Sequence, residues 1–257
     1  MTTTTTNQAN LREQLAALIF ELDQTIFHDS QNLEAEYMVT LGQLEFQSYV
    51  SQCDILRIRR KLEIVKDLVD QKRVVDLALV EKILDIDFAD YLTNLQEQAN
   101  LMKLALAHGQ LPPLSANQQE QLSKLYHDLL WSLHPALTSK AYPEGAPYLR
   151  QAVAAYSKKD LVALSELTQT VKEAKVPELD ATALAAQAET WPAAITAVSE
   201  QLTLLKKGFP FNKLPLLRNA SELLAKQTEI NEHIAYYQAH YHRYEEQLAE
   251  LVATELN

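Results

Sequence analysis

The chain has 257 residues, a hydrophobic fraction of 47% and a formal net charge of −11 at pH 7. Its four glycines are widely separated, which excludes a Walker phosphate loop, a dinucleotide-binding GxGxxG turn and a GxSxG nucleophile elbow. A single cysteine excludes an internal disulfide and a thiolate metal site. The acidic balance argues against a nucleic-acid partner, since that affinity comes mainly from Lys and Arg. Without a membrane-length apolar stretch or a signal-peptide pattern, we expect a soluble cytoplasmic protein with no membrane partner.

Scarce glycine together with abundant Leu, Ala, Glu and Gln predicts an all-α protein. A first amphipathic helix is predicted over Leu11–Phe27, and a second runs from an N-cap at Asp29 or Ser30 to Arg73. A third helix is predicted over Leu77–Ala107, before a proline-containing break.

The second and the last predicted helices each carry a heptad pattern, in which seam residues step by four and three. The N-terminal seam consists of Tyr37, Leu41, Leu44, Ser48, Ser51, Ile55, Ile58, Leu62, Val65 and Val69. The C-terminal seam consists of Leu223, Gln227, Ile230, Ile234, Tyr237, Tyr241, Tyr244, Leu248 and Leu251. An antiparallel pairing of the two helices would place Ser48 and Ser51 opposite Tyr237 and Tyr241. A parallel pairing would also place Ser51 near Tyr237, so the pattern leaves the direction open.

Residues 122–133 predict an amphipathic helix that leads into a His-Pro-Ala loop, and a second helix follows a polar segment. The residues that carry this spacing are Tyr126, Leu129 and Leu133, which lie eight, five and one positions before His134, then Pro135 and Ala136, and Ala155-Tyr156 at the end of the second helix. The arrangement resembles the core of a J-domain, the helical hairpin by which J-proteins engage DnaK-type chaperone ATPases. With its long flanking helices the chain is similar to bacterial proteins that carry a J-like module.

The loop departs from the family at its third position. J-proteins carry His-Pro-Asp there, and the aspartate is central to stimulating ATP hydrolysis, whereas Ala136 offers neither charge nor a side-chain acceptor. The preceding helix is usually basic, but here Lys124 stands against Glu120 and Asp128. The resemblance therefore implies a module that has kept its packing residues and lost its co-chaperone activity.

The recognition surface that the resemblance implies combines this loop with one face of the helix before it. The helix residues are Lys124, His127, Asp128 and Trp131. Trp131 is either packed inside the hairpin or exposed as an anchor for a partner, and the sequence leaves both readings open.

These patterns divide the chain into a disordered tail (1–10), an arm of long N-terminal helices (11–110), a J-like module (115–172) and C-terminal helices that pair with the arm (178–257). We expect a non-enzymatic interaction or adaptor protein, without a cofactor, that presents the J-like hairpin at one end of a coiled-coil arm. Its partners would be proteins, and self-association through the seams is allowed by the pattern. The alternative is an active or weakly binding co-chaperone of a DnaK-type chaperone.

A metal-dependent helical-bundle enzyme is the second alternative. Three histidines, His233, His240 and His242, lie among glutamates near the C-terminus, but no HExxH motif and no Glu-x-x-His pair occurs there. We interpret these residues as polar flanks of the seam, and we expect no metal. The basic run at 57–61 could attract nucleic acid or an acidic protein, but we interpret it as a solvated helix face whose charge sets helix pairing.

Overall fold

The computed structural model describes residues 2–110, 113–138, 145–174 and 181–255 of an all-α protein, and these ranges contain no strand. The helices are α1 (Thr2–Gln24), α2 (Ser30–Tyr37), α3 (Gln43–Asp70), α4 (Leu77–Asp87), α5 (Ala89–Gly109), α6 (Ala116–Leu133), α7 (Gly145–Ser157), α8 (Leu161–Glu173), α9 (Ala181–Ala188), α10 (Trp191–Lys207), α11 (Leu214–Arg218) and α12 (Ala220–Glu255).

The N-terminal helices differ from the prediction at both ends of the first one. Helix α1 begins at Thr2, so most of the segment 1–10, predicted as a disordered tail, has helical backbone. This segment contains neither proline nor glycine, and nothing in its backbone chemistry stops the helix. The predicted N-cap at Asp29 or Ser30 is also absent, because the Ser30 N–H donates to the carbonyl of Thr25 across a π-helical turn. Such a turn inserts one extra residue without breaking the helix.

The predicted third helix is two helices, α4 and α5, that meet at Phe88. Asp76 caps the first of them by accepting from the N–H groups of Ala78 and Leu79, at 2.9 and 3.2 Å. Phe88 leaves the helical region with φ −107° and ψ 10°, and it packs against the buried cluster that includes Leu84. No glycine or proline lies at this break. The break instead coincides with the packing of the Phe88 side chain.

The chain divides into two compact units, and the division differs from the predicted one. The first unit comprises residues 1–33 and 111–212, and the second comprises 34–110 and 213–257. Helices α1, α9 and α10 thus belong with the J-like segment, although we predicted them as part of the arm and its partner. The reason is apolar packing: Leu15, Ile19 and Trp191 are buried in the same core as the α6 side chains.

The second unit is built on the contact between α3 and α12, the most extensive helix–helix contact in the described residues. Every residue of the two predicted seams is buried or half-buried. The buried positions are Tyr37, Leu41, Ser51, Ile58, Leu62, Val65, Ile230 and Ile234, and the half-buried positions include Leu44, Ile55, Tyr237, Tyr241, Tyr244 and Leu248. The heptad spacing therefore corresponds to the inner face of each helix.

The direction of this pair is parallel, so the antiparallel alternative is wrong. Near the N-terminal end of α12, Gln227 Nε2 donates to the carbonyl of Thr40 at 3.0 Å. Near the C-terminal end, Leu248 and Leu251 pack on the cluster around Val65. The offset of 187 residues between Thr40 and Gln227 places Ser51 level with Tyr237 and Gln238, as the parallel alternative requires.

Candidate functional site

The J-like segment forms a three-helix core of α6, α7 and α8 in the first unit. Helix α6 begins with a capping box, in which Ser115 accepts from the Gln118 N–H and the Gln118 side chain accepts from the Ser115 N–H. Its apolar face is buried together with that of α7, and the rings of Tyr126 and Tyr156 stack with centroids 3.9 Å apart. The spacing residues Leu129 and Leu133 are 1% and 3% exposed. The residues that carry the J-like spacing are thus core residues.

The loop after α6 is a tight turn around His134. The backbone carbonyl of this residue accepts from the N–H groups of Leu137 and Thr138 at 2.8 and 3.0 Å. Its ring Nδ1 accepts from the Ala136 N–H at 3.2 Å, which requires the proton of the neutral ring to be on Nε2. Burial lowers the pKa of His134, because a desolvated imidazolium is unfavourable. His134 therefore acts as a neutral acceptor that shapes the turn.

Helices α9 and α10 hold the loop from its carbonyl side. Gln187 Nε2 donates to the carbonyl of Pro135 at 2.9 Å, and Trp191 Nε1 donates to the carbonyl of Ala136 at 2.8 Å. Trp191 is completely buried. The side chain of Ala136 is half-buried and packs against the hydrophobic core. The methyl group of Ala136 therefore takes part in internal packing.

Helix α1 covers part of the predicted recognition surface on α6. The His127 ring lies edge-on to Phe20, with centroids 6.0 Å apart, and the Arg12 guanidinium lies 4.1 Å from the Trp131 ring centroid. Both aromatic side chains are half-buried, so Trp131 is a packing residue. Lys124 and Asp128 are exposed. The four predicted surface residues therefore divide into two that contact α1 and two that face solvent.

The structure adds a buried polar cluster that the sequence analysis missed. Tyr126 donates its hydroxyl proton to Asp23 Oδ2 at 2.7 Å, and the His28 Nε2 lies 2.8 Å from the carbonyl of Tyr156. Burial raises the pKa of Asp23 against the opposing effect of the Tyr126 hydrogen bond. Burial and the nearby Asp23 also raise the pKa of Tyr126, so its phenol stays protonated. In the sequence, Asp23 and His28 occupy polar positions of an amphipathic helix, so nothing in the pattern indicates that they belong to this cluster.

The basic run of α3 faces acidic residues of α4. Arg57 donates to Glu81 and Asp85, each at 2.7 Å, and Lys61 donates to Glu81. Arg60 pairs with Asp87 at 3.2 Å, and Arg59 pairs with Glu63 on its own helix. The cations of the run are therefore engaged within the second unit, and three of them, Arg57, Arg60 and Lys61, join α3 to α4.

The C-terminal histidines lie along the outer side of α12. His240 Nδ1 donates to the Tyr236 carbonyl at 2.9 Å, and the two ring centroids lie 4.0 Å apart. His233 and His242 are exposed. Within the ranges that the structure describes, no three His, Cys, Asp or Glu side chains gather into a cluster that could hold a metal ion.

Comparisons of the chain with protein-family models, curated protein sequences and solved structures found no match. Among the described helices, none combines the length and apolarity that a membrane span requires. A functional proposal therefore depends on the residues and the geometry described above.

Proposed function

We propose that this protein is a non-enzymatic interaction or adaptor protein whose J-like module does not stimulate DnaK-type ATPases. The main observation behind this proposal is the environment of Ala136, the third residue of the His-Pro-Ala loop. Ala136 has no carboxylate, its methyl group packs on the core, and its carbonyl accepts the indole proton of Trp191. A loop used in this way serves internal packing, and it lacks the acid that stimulation of the chaperone requires.

The contact between α1 and α6 supports the same proposal. A partner that binds the face of α6 would have to compete with Phe20 for His127 and with Arg12 for Trp131. The exposed remainder of the face, Lys124 and Asp128, carries one charge of each sign. This remainder offers little electrostatic attraction to an acidic chaperone surface.

The parallel contact of α3 and α12 supports the coiled-coil part of the proposal. Two long helices whose heptad positions are all at least half-buried fit a parallel coiled coil. In this proposal the second unit is a rigid helical support, and protein partners bind to exposed surfaces of the chain.

A weakly binding co-chaperone is the second candidate, and the exposure of Pro135, Lys124 and Asp128 favours it. These residues belong to the loop and helix by which the resemblance would engage a DnaK-type chaperone. Binding through them would require no movement of α1.

The test is ATP turnover by a DnaK-type chaperone in the presence of the wild type and of Ala136→Asp. The matched control is Ala154→Asp, which adds the same charge at an exposed position of α7. We expect no stimulation by the wild type or by the control. Stimulation by the wild type would overturn the proposal and favour the co-chaperone. Stimulation by Ala136→Asp alone would show that the chaperone-facing surface has survived and that the loss is due to the missing carboxylate.

A further inference from the structure

A cavity of about 220 Å³ opens in the second unit, between the start of α3 and the middle of α5. It adjoins the second π-helical turn, Met38–Gly42. π-Helical turns inside α-helices occur frequently at functional sites. The side chains that form most of its wall are Tyr37, Met38, Glu45, Phe46, Leu101 and Met102.

The polar part of the cavity consists of the Glu45 carboxylate, which accepts a hydrogen bond from the Tyr37 phenol, and of the exposed side chain of Gln98. Tyr37, only 4% exposed, donates its hydroxyl proton to Glu45 Oε2 at 2.6 Å. Burial and this carboxylate raise the pKa of Tyr37, so the phenol remains a donor at neutral pH. An ionised carboxylate can accept about four hydrogen bonds, and the bond from Tyr37 uses one of them. Glu45 therefore keeps capacity for a donor that enters the cavity.

The rest of the wall is apolar and deformable. Met38 and Met102 contribute thioethers, which adapt to ligands of irregular shape, and Phe46 and Leu101 contribute hydrocarbon surface. Gly42 permits the close approach of Met38, because a Cβ at that position would lie 2.4 Å from the Met38 sulfur. The π-helical turn and its glycine thus place a methionine side chain at the wall of the cavity.

These features select one chemical class of ligand. A negative charge excludes anions, and a neutral polar molecule would gain less from the carboxylate than a cation, since charge-assisted hydrogen bonds are roughly twice as strong as neutral ones. The volume suits a compact molecule of about ten heavy atoms, below the range of drug-sized ligands. We propose that the cavity binds a small primary amine, with its ammonium group donating to Glu45 and its apolar group packed against Met38, Phe46 and Met102.

The experiment is a titration followed by NMR of protein labelled at the methionine methyl groups. The chain has three methionines, of which Met38 and Met102 line the cavity and Met1 serves as an internal reference. The probe is 2-phenylethylamine, and its comparison molecules are the neutral 2-phenylethanol and the anionic 3-phenylpropanoate. We expect the amine to shift the Met38 and Met102 signals, the alcohol to bind about tenfold more weakly, and the acid not to bind.

The variant that tests the carboxylate is Glu45→Gln, which keeps an acceptor for Tyr37. Its matched control is Glu97→Gln, an exposed glutamate of α5 outside the cavity wall. We expect Glu45→Gln to weaken amine binding about tenfold or more and Glu97→Gln to leave it unchanged. Absence of shifts with the amine, equal affinity for amine and alcohol, or equal affinity of Glu45→Gln and wild type would each overturn the proposal. The comparison of the three probes on the wild type decides the matter even if Glu45→Gln does not fold.

Discussion

At the scale of single residues, individual side-chain hydrogen bonds fix the loop at 134–136. The turn at His134, Pro135 and Ala136 could be predicted from the sequence because it follows the end of an amphipathic helix. Their partner Trp191 could not, since a hydrogen bond between residues that are 55 positions apart leaves no periodic signal. Asp23 was missed for the same reason, because its polar role depends on Tyr126, 103 positions away.

The hydrogen bond from Trp191 to the Ala136 carbonyl gives the first prediction. We expect Trp191→Phe to lower the free energy of unfolding by about 1–3 kcal/mol, because it removes the donor and leaves the carbonyl unpaired in a poorly solvated place. Urea unfolding followed by circular dichroism measures the change. Trp131→Phe is the control, since Trp131 is half-buried and its ring contact with Arg12 is retained by a phenyl ring. Equal losses in the two variants would show that the indole donor does not hold the loop.

The half-buried carboxyl of Asp23 gives the second prediction, which concerns pH. Its pKa in the folded protein is raised above the ordinary value of 3.8, so the folded state favours the protonated form. The resulting contribution to stability is present below pH 3.8 and is lost as the pH rises through the higher, folded-state value. We therefore expect the wild type to gain stability relative to Asp23→Asn as the pH is lowered from 7 to 4.

Urea unfolding of both proteins at the two pH values measures this difference. Asp128→Asn, which removes an exposed carboxylate of α6, corrects for the general effect of losing one acidic group. A free energy of unfolding of the wild type that falls relative to that of Asp23→Asn as the pH is lowered from 7 to 4 would contradict the raised pKa.

At the scale of elements, the pairing of α3 with α4 shows that a charge pattern can predict helix pairing but does not identify the partner helix. The run of cations at 57–61 predicted a role in helix pairing, and the structure identifies α4 as the helix it contacts through Glu81, Asp85 and Asp87. The sequence could not identify this partner, because similar acidic residues occur along most of the chain. The boundary between α4 and α5 was also missed, since Phe88 leaves the helical region there and no glycine or proline marks the position.

The double ion pair at Glu81 gives the third prediction. We expect Glu81→Gln to lower the melting temperature slightly at low salt, with a loss of at most about 1 kcal/mol because the pairs are partly exposed and screened. High salt should remove most of this difference. Glu63→Gln is the control, since Glu63 pairs only within α3 in the ion pairs described. A loss that is independent of salt, or one that Glu63→Gln matches, would contradict a role of Glu81 in joining the two helices.

At the scale of the whole molecule, the sequence predicted the fold class and the inner faces of the long helices, because heptad spacing depends only on the geometry of one helix. It did not predict which segments share a core. The two compact units are each built from two separate stretches of the chain, and apolar helices of similar composition could have combined in several ways. The direction of the seam pair was undecided for the same reason, since both alternatives bury the same residues.

The parallel register of α3 and α12 gives the last prediction. In a Cys53→Ala background, a short bismaleimide should cross-link a Thr40→Cys/Gln227→Cys pair, because Gln227 contacts the backbone of Thr40. The comparison pair, Thr40→Cys/Glu250→Cys, has the residue sum of 290 that an antiparallel seam would bring together, and it should not cross-link. Gel mobility then separates linkage within one chain from linkage between two chains. We expect a monomeric cross-linked product from the first pair only. A dimeric product would mean that the seams pair between chains, and efficient linkage of the second pair would mean that the helices run antiparallel in solution.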